Sequence, residues 1–361
     1  MQNCYLKKVT GCLLGTAVGD ALGLPYEGLS RKKIKRSYIP ITGHRLILNK
    51  GMFSDDTEHA CMTAQSLIIA NGDTIKFSRD FAWRFRLWFL GIPAGIGLAT
   101  LKSAFKLWIG FPPHKSGVNS AGNGPAMRST IIGVCYGKDP SELISLVRAS
   151  TIISHNSVQA QLGAIAVAVA AYISSIQTSI EPSEYLQALK KYLLHPSTNL
   201  PNNEIVIFLD LIEQACTSAE KKETGATFTY LLGNNCGVSG YIYHTVPIVI
   251  QVWLRNQDNY AQGIKEIIYL GGDTDTTAAI LGGIIGASVG ISGIPQDWLD
   301  NIVDYPRSVK WIKSLSKRLA IACESKSPHA ALPLAFLWIP LRNFIFLIVV
   351  LLHVCYRFLP F

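Results

Sequence analysis

An all-α globular fold is what this 361-residue sequence predicts, and three observations carry the reading. Residues 158–173 (VQAQLGAIAVAVAAYI) are long enough for a helix and apolar on nearly every face, as a central buried helix requires. Residues 182–193, 203–219 and 260–270 repeat apolar positions at helical spacing with polar ones between, as amphipathic helices do. Alternating strand patterns are scarce. With 49% hydrophobic and 16% charged residues, a chain of this length can bury one large core or two ordinary ones. No internal repeat or low-complexity tract divides it, so a single multi-helix domain is expected over residues 1–324.

Taken in order, GCLLGTAVGDALG (11–23) reads as a helix interrupted by small residues, followed by LPYEG (24–28). Its recurrent GxxxG spacing, with Asp20 inside a short run, favours close packing between soluble helices over pairing in a membrane. Asp20 and Glu27 are acids near the core, and each alone reads as a cap or a salt-bridged acid. Residues 45–48 fit a short strand or a loop. Ser54 before Asp55 and Asp56 is a helix-start signal for a helix over about 56–70, ending near Gly72. Residues 277–289 form another apolar helix, and Gly282 and Gly286 within it and Gly290 just past it recur at i, i+4. A glycine inside a helix costs about 1 kcal/mol, so three along one side require a packing reason.

SKSPH (325–329) reads as a linker, and residues 332–361 as a hydrophobic C-terminal tail with an unbroken apolar run over 344–352. A membrane span needs about 20 apolar residues. Arg342 and Asn343 interrupt this one, and Pro333 and Pro340 are expected to kink it. A charge at mid-bilayer costs about 3 kcal/mol, which so apolar a run tolerates. Two readings stand level: a tail packed on the core or on a partner subunit, and a C-terminal membrane anchor.

The formal net charge is +9 and the isoelectric point about 9.1. Much of the excess is local, in RKKIKR (31–36) and in Lys310, Lys313, Lys317 and Arg318. Both clusters read first as solvated faces, although a basic surface also suits a pyrophosphate, a nucleic acid or an acidic membrane. They lack interleaved aromatics and any nucleic-acid motif, which argues against a nucleic-acid partner. Eight scattered cysteines form no CxxC pair, which excludes zinc-ribbon and thioredoxin classes. The start, MQNCY, lacks the charged and apolar regions of a signal peptide, so reduced thiols in a cytoplasm are the expectation.

Two acidic clusters stand at the mouths of helices that read as buried. SDDT (54–57) alone is ordinary capping. GGDTDTT (271–277) is less common, because capping needs one acid and this has two. Asp273 and Asp275 alternate, so a tight loop turns both carboxylates to one side, and the glycines let the backbone approach a ligand closely. If the segments meet, Asp55, Asp56, Asp273 and Asp275 repel one another beyond what helix dipoles balance. One or two hard cations neutralise them, with Ser54, Thr57, Thr274 and Thr276 adding hydroxyls. Oxygen ligands favour magnesium, manganese or calcium over zinc. His44, His59 and His114 lack metal-ligand spacing and are expected on the surface or in the core.

Six blocks carry a resemblance: GCLLGTAVGDALGLPYEG (11–28), GMFSDDTEHACMTAQSL (51–67), GNGPAMRSTIIGV (122–134), SHNSVQAQLGA (154–164), GVSGYIYHTVP (237–247) and GGDTDTTAAILGGIIGA (271–287). In this order, over roughly residues 8–292, they resemble the ADP-ribosylglycohydrolase family, which includes the hydrolase that reactivates ADP-ribosylated dinitrogenase reductase. The resemblance implies an all-α protein with two magnesium or manganese ions in a central cleft. Carried onto this chain, the metal ligands are Ser54, Asp55, Asp56, Asp273, Asp275 and Thr276. Ser54 stands where the family commonly has threonine, which keeps the hydroxyl and loses the methyl. Glu27 matches an acid that guards the cleft and contacts metal or substrate. Ser120, Ala121, Gly122, Asn123 and Gly124 match a loop around the distal phosphate and ribose, and N–H groups from 122–124 suit a pyrophosphate. His155 matches a substrate-contacting histidine. Tyr241 falls in a segment that lines the adenosine side, with a buried core tyrosine as the equal alternative, and His244 nearby is either in the cleft or packed.

The implied reaction is hydrolysis at an anomeric carbon through an oxocarbenium-like state, with a water activated by the metals. Asp56 or Asp275 is the expected general base, and Glu27 or a metal-bound water the proton donor. The partner is an ADP-ribosylated protein or small ADP-ribosyl conjugate, its acceptor group (arginine, serine, a base or a metabolite) left open. Residues 72–118 and 195–235 match the family least, and acceptor choice is expected there. The rival reading is a non-catalytic ADP-ribose-binding relative, which loss of an acid at 55, 56, 273 or 275 would favour; all four are present. A monomer is expected, cytoplasmic or held to a membrane by its C-terminus.

Overall fold

A computed structural model describes residues 2–36 and 40–357; Met1 and residues 358–361, the end of the apolar tail, lie outside the described residues. Among the described residues there are nineteen α-helices, a few one-turn 3₁₀ segments and isolated β-bridges, with no strand. The chain opens with α1 (Gln2–Gly23), then α2 (Arg31–Arg36), α3 (Asp55–Ala70), α4 (Thr74–Leu90) and α5 (Leu98–Trp108). Short α6 (Pro113–Ser116), α7 (Gly124–Met127) and α8 (Thr130–Tyr136) lead through α9 (Pro140–Ile152) to α10 (Val158–Ile176). Next come α11 (Pro182–Leu193), α12 (Asn202–Glu220), α13 (Gly225–Leu231), α14 (Ile242–Arg255) and α15 (Tyr260–Tyr269). The chain closes with α16 (Thr274–Val289), α17 (Gln296–Asp300), α18 (Val309–Ser325) and α19 (Ile339–Tyr356). Several starts follow from capping chemistry: Ser54, Asp73, Asp139, Ser157 and Ser308 each accept an N–H of the first turn.

The long apolar helix is central, as its sequence predicts. Leu162 through Ala171 on α10 are all buried, packed among α8, α9, α14 and α16. Both basic clusters are solvated: Lys32, Lys33, Lys35 and Arg36 are exposed around buried Ile34, and Lys310, Lys313 and Lys317 are exposed on α18. Residues 45–48 form no strand, because Ile47 and Lys50 pair across a tight turn with Leu48 and Asn49 at positive φ.

The interruption expected in residues 11–23 is absent. α1 runs unbroken for 22 residues, because its glycines are contact points with α16. A Cβ on Gly11, Gly15 or Gly19 would lie 2.0, 2.1 and 2.1 Å from the carbonyl oxygens of Gly286, Gly282 and Ala278. Only backbones without side chains can approach so closely, and this is the packing reason that the glycines of α16 require. The ladder also sets one end of each helix beside the other: the Thr274 hydroxyl donates to the Gly23 carbonyl at 2.9 Å.

The tail lies along the domain. His329 N–H donates to the Ile68 carbonyl, and Gln65 and Trp311 side chains hold the carbonyls of Leu332 and Pro333. The prolines expected to kink the tail do not, because Pro333 precedes the helix and Pro340 sits in the first turn of α19, where no intrahelical N–H bond is lost. Arg342 is buried, donating to Asp304 at 2.6 Å and to the Phe53 carbonyl at 2.6 Å. Asp304 and Glu58, with Arg307 at 2.6 Å from Glu58, complete a buried set of two acids and two cations. Phe346 and Val349 pack against Leu24, Leu46 and Met52, and the opposite face of α19 is exposed.

Candidate active site

The two acidic segments meet. Ser54 caps α3, its hydroxyl donating to Asp56 Oδ2 at 3.0 Å. The Thr276 hydroxyl, on the first turn of α16, donates to the same oxygen at 3.2 Å. Asp20, reaching across from α1, accepts from the Ser54 N–H (2.8 Å), the Thr57 N–H (3.0 Å) and the Thr57 hydroxyl (2.6 Å). A fully buried carboxylate on a third helix therefore fixes where α3 begins, and the sequence reading of Asp20 as a cap holds, across helices rather than within one.

The second segment is pinned on both sides. Gly271 and Gly272 have φ of +76° and +85°, and a Cβ on Gly272 would lie 2.0 Å from the Val238 carbonyl oxygen. Gly272 N–H donates to the Leu29 carbonyl, and Gly28 and Val238 N–H groups donate to the carbonyls of Gly272 and Gly271. This left-handed turn, open to glycine alone at such contact distances, sets Asp273 and Asp275 at the cleft.

The cleft encloses about 480 Å³, within the range of about 300–1,000 Å³ usual for small-molecule pockets. Glu27, Ser54, Asp55, Ser120, Gly122, Asn123, Gly124, His155, Asp273, Asp275 and Thr276 line it. Asp56 lies just behind, 1% exposed. Tyr241 is not in the lining and, at 41% exposure, is not a core residue either; its backbone bridges to Gly122, and its ring stands edge-on to His244. Among the described residues nothing from 195–235 lines the cleft, whereas Ala94, Gly97, Leu98 and Thr100 do, so of the two segments expected to set acceptor choice only 72–118 reaches it. The tail contributes too, through Phe346, Leu347 and Val350.

Crowding and burial shape the electrostatics. Burial, then Asp20 and Glu58, raise Asp55 to about 8. Burial and neighbouring carboxylates raise Asp56 and Asp275 well above the usual range. Partial enclosure and Asp273 push Glu27 up against the pull of Arg357. Asp56 Oδ1 and Asp275 Oδ1 are buried with no hydrogen-bond partner, an expensive arrangement unless a cation meets them. Among the described residues no three histidine, cysteine or acid side chains close on one point by themselves, so hydroxyls and water must complete any cation's shell.

The loop over residues 120–124 differs from its expected role. Asn123 N–H is taken by the Gly240 carbonyl at 2.9 Å, and Gly122 N–H points to the Ser120 hydroxyl at 3.3 Å. It therefore offers a pyrophosphate fewer backbone donors than the sequence reading assigned. Asn123 is spent inside the site: its Nδ2 donates to Asp273 (2.7 Å) and to the Thr245 hydroxyl (3.0 Å).

Arg128 is a residue that sequence reasoning missed. Fully buried, it donates to the Ser150 carbonyl at 2.9 Å and to the Ser154 hydroxyl at 2.6 Å, and burial lowers its pKa to about 9. Ser154 Oγ lies 2.9 Å from His155 Nδ1. An arginine can only donate, and Ser154 has no other acceptor for its own proton among the described contacts. The serine proton therefore goes to Nδ1, and His155 carries its hydrogen on Nε2, facing Gly122 and Gly124. Burial, then Arg128, lowers its pKa to about 3, so it is a neutral donor into the cleft. His59, beside Arg128 and Trp88, and His44, on the Trp298 carbonyl, are core residues, and His114 is exposed.

The family model for ADP-ribosylglycohydrolase matches residues 1–329. The chain belongs to the ADP-ribosylglycohydrolase family. ADP-ribosylhydrolase ARH3 of Xenopus tropicalis is 27% identical over 347 residues, covering 87% of this chain and 96% of that protein. ADP-ribosylarginine hydrolase Tri1 of Serratia proteamaculans is 25% identical over 329 residues, covering 87% and 79%. A solved ADP-ribosylglycohydrolase-related protein complex superposes with a TM-score of 0.65 at 23% identity, covering 88% of this chain and 98% of that one, and shares the fold of this family member.

Proposed function

We propose that this chain is a hydrolase that cleaves the glycosidic bond between ADP-ribose and an acceptor, working with two magnesium or manganese ions held by Ser54, Asp55, Asp56, Asp273, Asp275 and Thr276. The observation that carries the metal reading is the meeting of the segments at Asp56, with orphaned buried oxygens on Asp56 and Asp275. An all-oxygen donor set suits hard cations. Such ions would cancel the carboxylate repulsion, orient ribose hydroxyls and lower the pKa of a water. The chain's own residues supply the rest. Asp275 lines the cleft while Asp56 is held behind it by two hydroxyls, which favours Asp275 as general base. Glu27 lines the cleft, with its pKa raised by enclosure and by Asp273, and is the proposed proton donor to the departing acceptor. His155 Nε2–H offers a donor to a phosphate or ribose oxygen, and Asn123 holds Asp273.

The test is hydrolysis of ADP-ribosylated arginine and serine peptides by the full chain with magnesium, with EDTA, and as Asp275→Asn. Free ADP-ribose that disappears with EDTA and falls about 10²–10⁴-fold in Asp275→Asn supports the proposal. ADP-ribose binding by calorimetry without release from either peptide moves the reading to the non-catalytic relative.

A further inference from the structure

An extended apolar surface beside the cleft takes no part in the chemistry above. On α4 and α5 it presents Trp83, Phe105 and Trp108, and on α19 Phe344, Ile345 and Ile348, all exposed. The two parts adjoin, since Asn343 Nδ2 donates to the Gly91 carbonyl at 2.7 Å and Ala94 packs against the cluster that Phe346 and Val349 form with Leu24, Leu46 and Met52. Their charge is one-sided. Between residues 73 and 119 seven lysines and arginines stand against two acids, Asp73 and Asp80, which are already paired with Lys76 at 3.6 Å and with Arg84 at 2.6 Å. From 325 to 361 there is no acid. Lys102 lies exposed between the apolar side chains of α5, and Arg86 lies over the Trp83 ring at 5.0 Å.

We propose that this surface docks on the headgroup layer of an anionic lipid bilayer, lying on the membrane without crossing it. Aromatic and aliphatic side chains flanked by an excess of cations, with no unpaired acid among the described residues of α4 and α5, match an acidic leaflet in both polarity and sign. A second copy of the chain would set cations against cations. Phe336–Cys355 is long and apolar enough to span, but 28% of it is buried in the domain. Withdrawing Arg342 into lipid would strip a cation from buried Asp304 and Glu58, the costly way to break such a set. Leu347 and Leu98, which line the cleft, lie on the seam between the two parts, so docking turns the cleft mouth towards the leaflet.

The experiment floats the full chain with phosphatidylcholine vesicles, with and without about one-third phosphatidylserine, at low and high salt. Each cation near an acidic leaflet is worth about a fivefold gain in affinity. Lys102→Glu, which removes an exposed cation and adds an acid, is therefore expected to weaken binding more than tenfold. Phe344→Asp/Ile348→Asp is expected to weaken it by at least as much, with circular dichroism and thermal unfolding of both variants unchanged. Binding that needs the acidic lipid, fades with salt and is extracted by alkaline carbonate supports the proposal. No binding at low salt, equal binding by the variants, resistance to carbonate, or a dimer dispersed by the same substitutions each overturns it.

Discussion

At Asp20 one carboxylate accepts three hydrogen bonds from the start of α3, and at Arg128 one guanidinium reaches the cleft through Ser154 and His155. Neither residue lines the cleft, and both decide what the lining can do. Ser154→Ala removes the proton that holds Nδ1, frees His155 to take either tautomer, and is expected to weaken ADP-ribose binding by about 1 kcal/mol, or about fivefold. Calorimetry of ADP-ribose binding, with magnesium affinity unchanged, checks this; an equal loss in both would mean that the substitution loosens the whole site. Asp273 and Asp275 were legible because two carboxylates at a helix start exceed what capping uses, whereas Asp55 and Asp56 alone read as capping and stood out only beside that second cluster. Asp20 was legible only as an acid near the core, since its partners lie 34 and 37 residues away. Arg128 carried no signal, as a lone arginine in an apolar block gives no hint that it stays inside.

The pair α1 and α16 shows how an element can be a spacer. Gly19→Ala places a methyl 2.1 Å from a backbone carbonyl oxygen that cannot swing away, so the two helices must part. We expect a loss of about 3 kcal/mol or more in urea unfolding and weaker magnesium affinity, because Asp20 and Asp275 ride on the separated helices. Gly43→Ala, with nothing within 4 Å, is the control and should change stability by less than about 0.5 kcal/mol. The amphipathic helices expected over 182–193, 203–219 and 260–270 were legible from period, and the one expected over 158–173 from its length and nearly all-apolar faces. α4 and α18 were not singled out: aromatics on every side blur the period of α4, and the cations of α18 read as a charge run. The glycine spacing foretold a close approach but not its partner, because i, i+4 on one helix names no other helix.

Across the whole molecule, the acidic cluster ties stability to pH and to cations. Asp55 sits at about 8 in the fold against 3.8 in an unfolded chain, so its protonated form favours folding. Its contribution is present at low pH and is lost as pH rises from about 4 towards 8. Ions that bind the deprotonated cluster act in the opposite sense. The gap in Tm between magnesium and EDTA should therefore widen from about pH 6 to about pH 8.5, read by scanning calorimetry. A gap independent of pH would mean that the cations bind elsewhere. The tail was the least legible part. Its apolar run satisfies the length rule for a span, and only the fold reveals that Arg342 faces Asp304 and the carbonyl leading into Ser54.

The glycine ladder also bears on synthesis. Gly23 and its hydrogen-bond partner Thr274 are 251 residues apart. At about 5–20 residues per second, α1 leaves the ribosome roughly 12–50 s before the helix it must lie against. For that interval a helix with bare backbone along one side has nothing to cover it. The cleft, which needs residues from both ends of that interval, is among the last parts of the molecule to form.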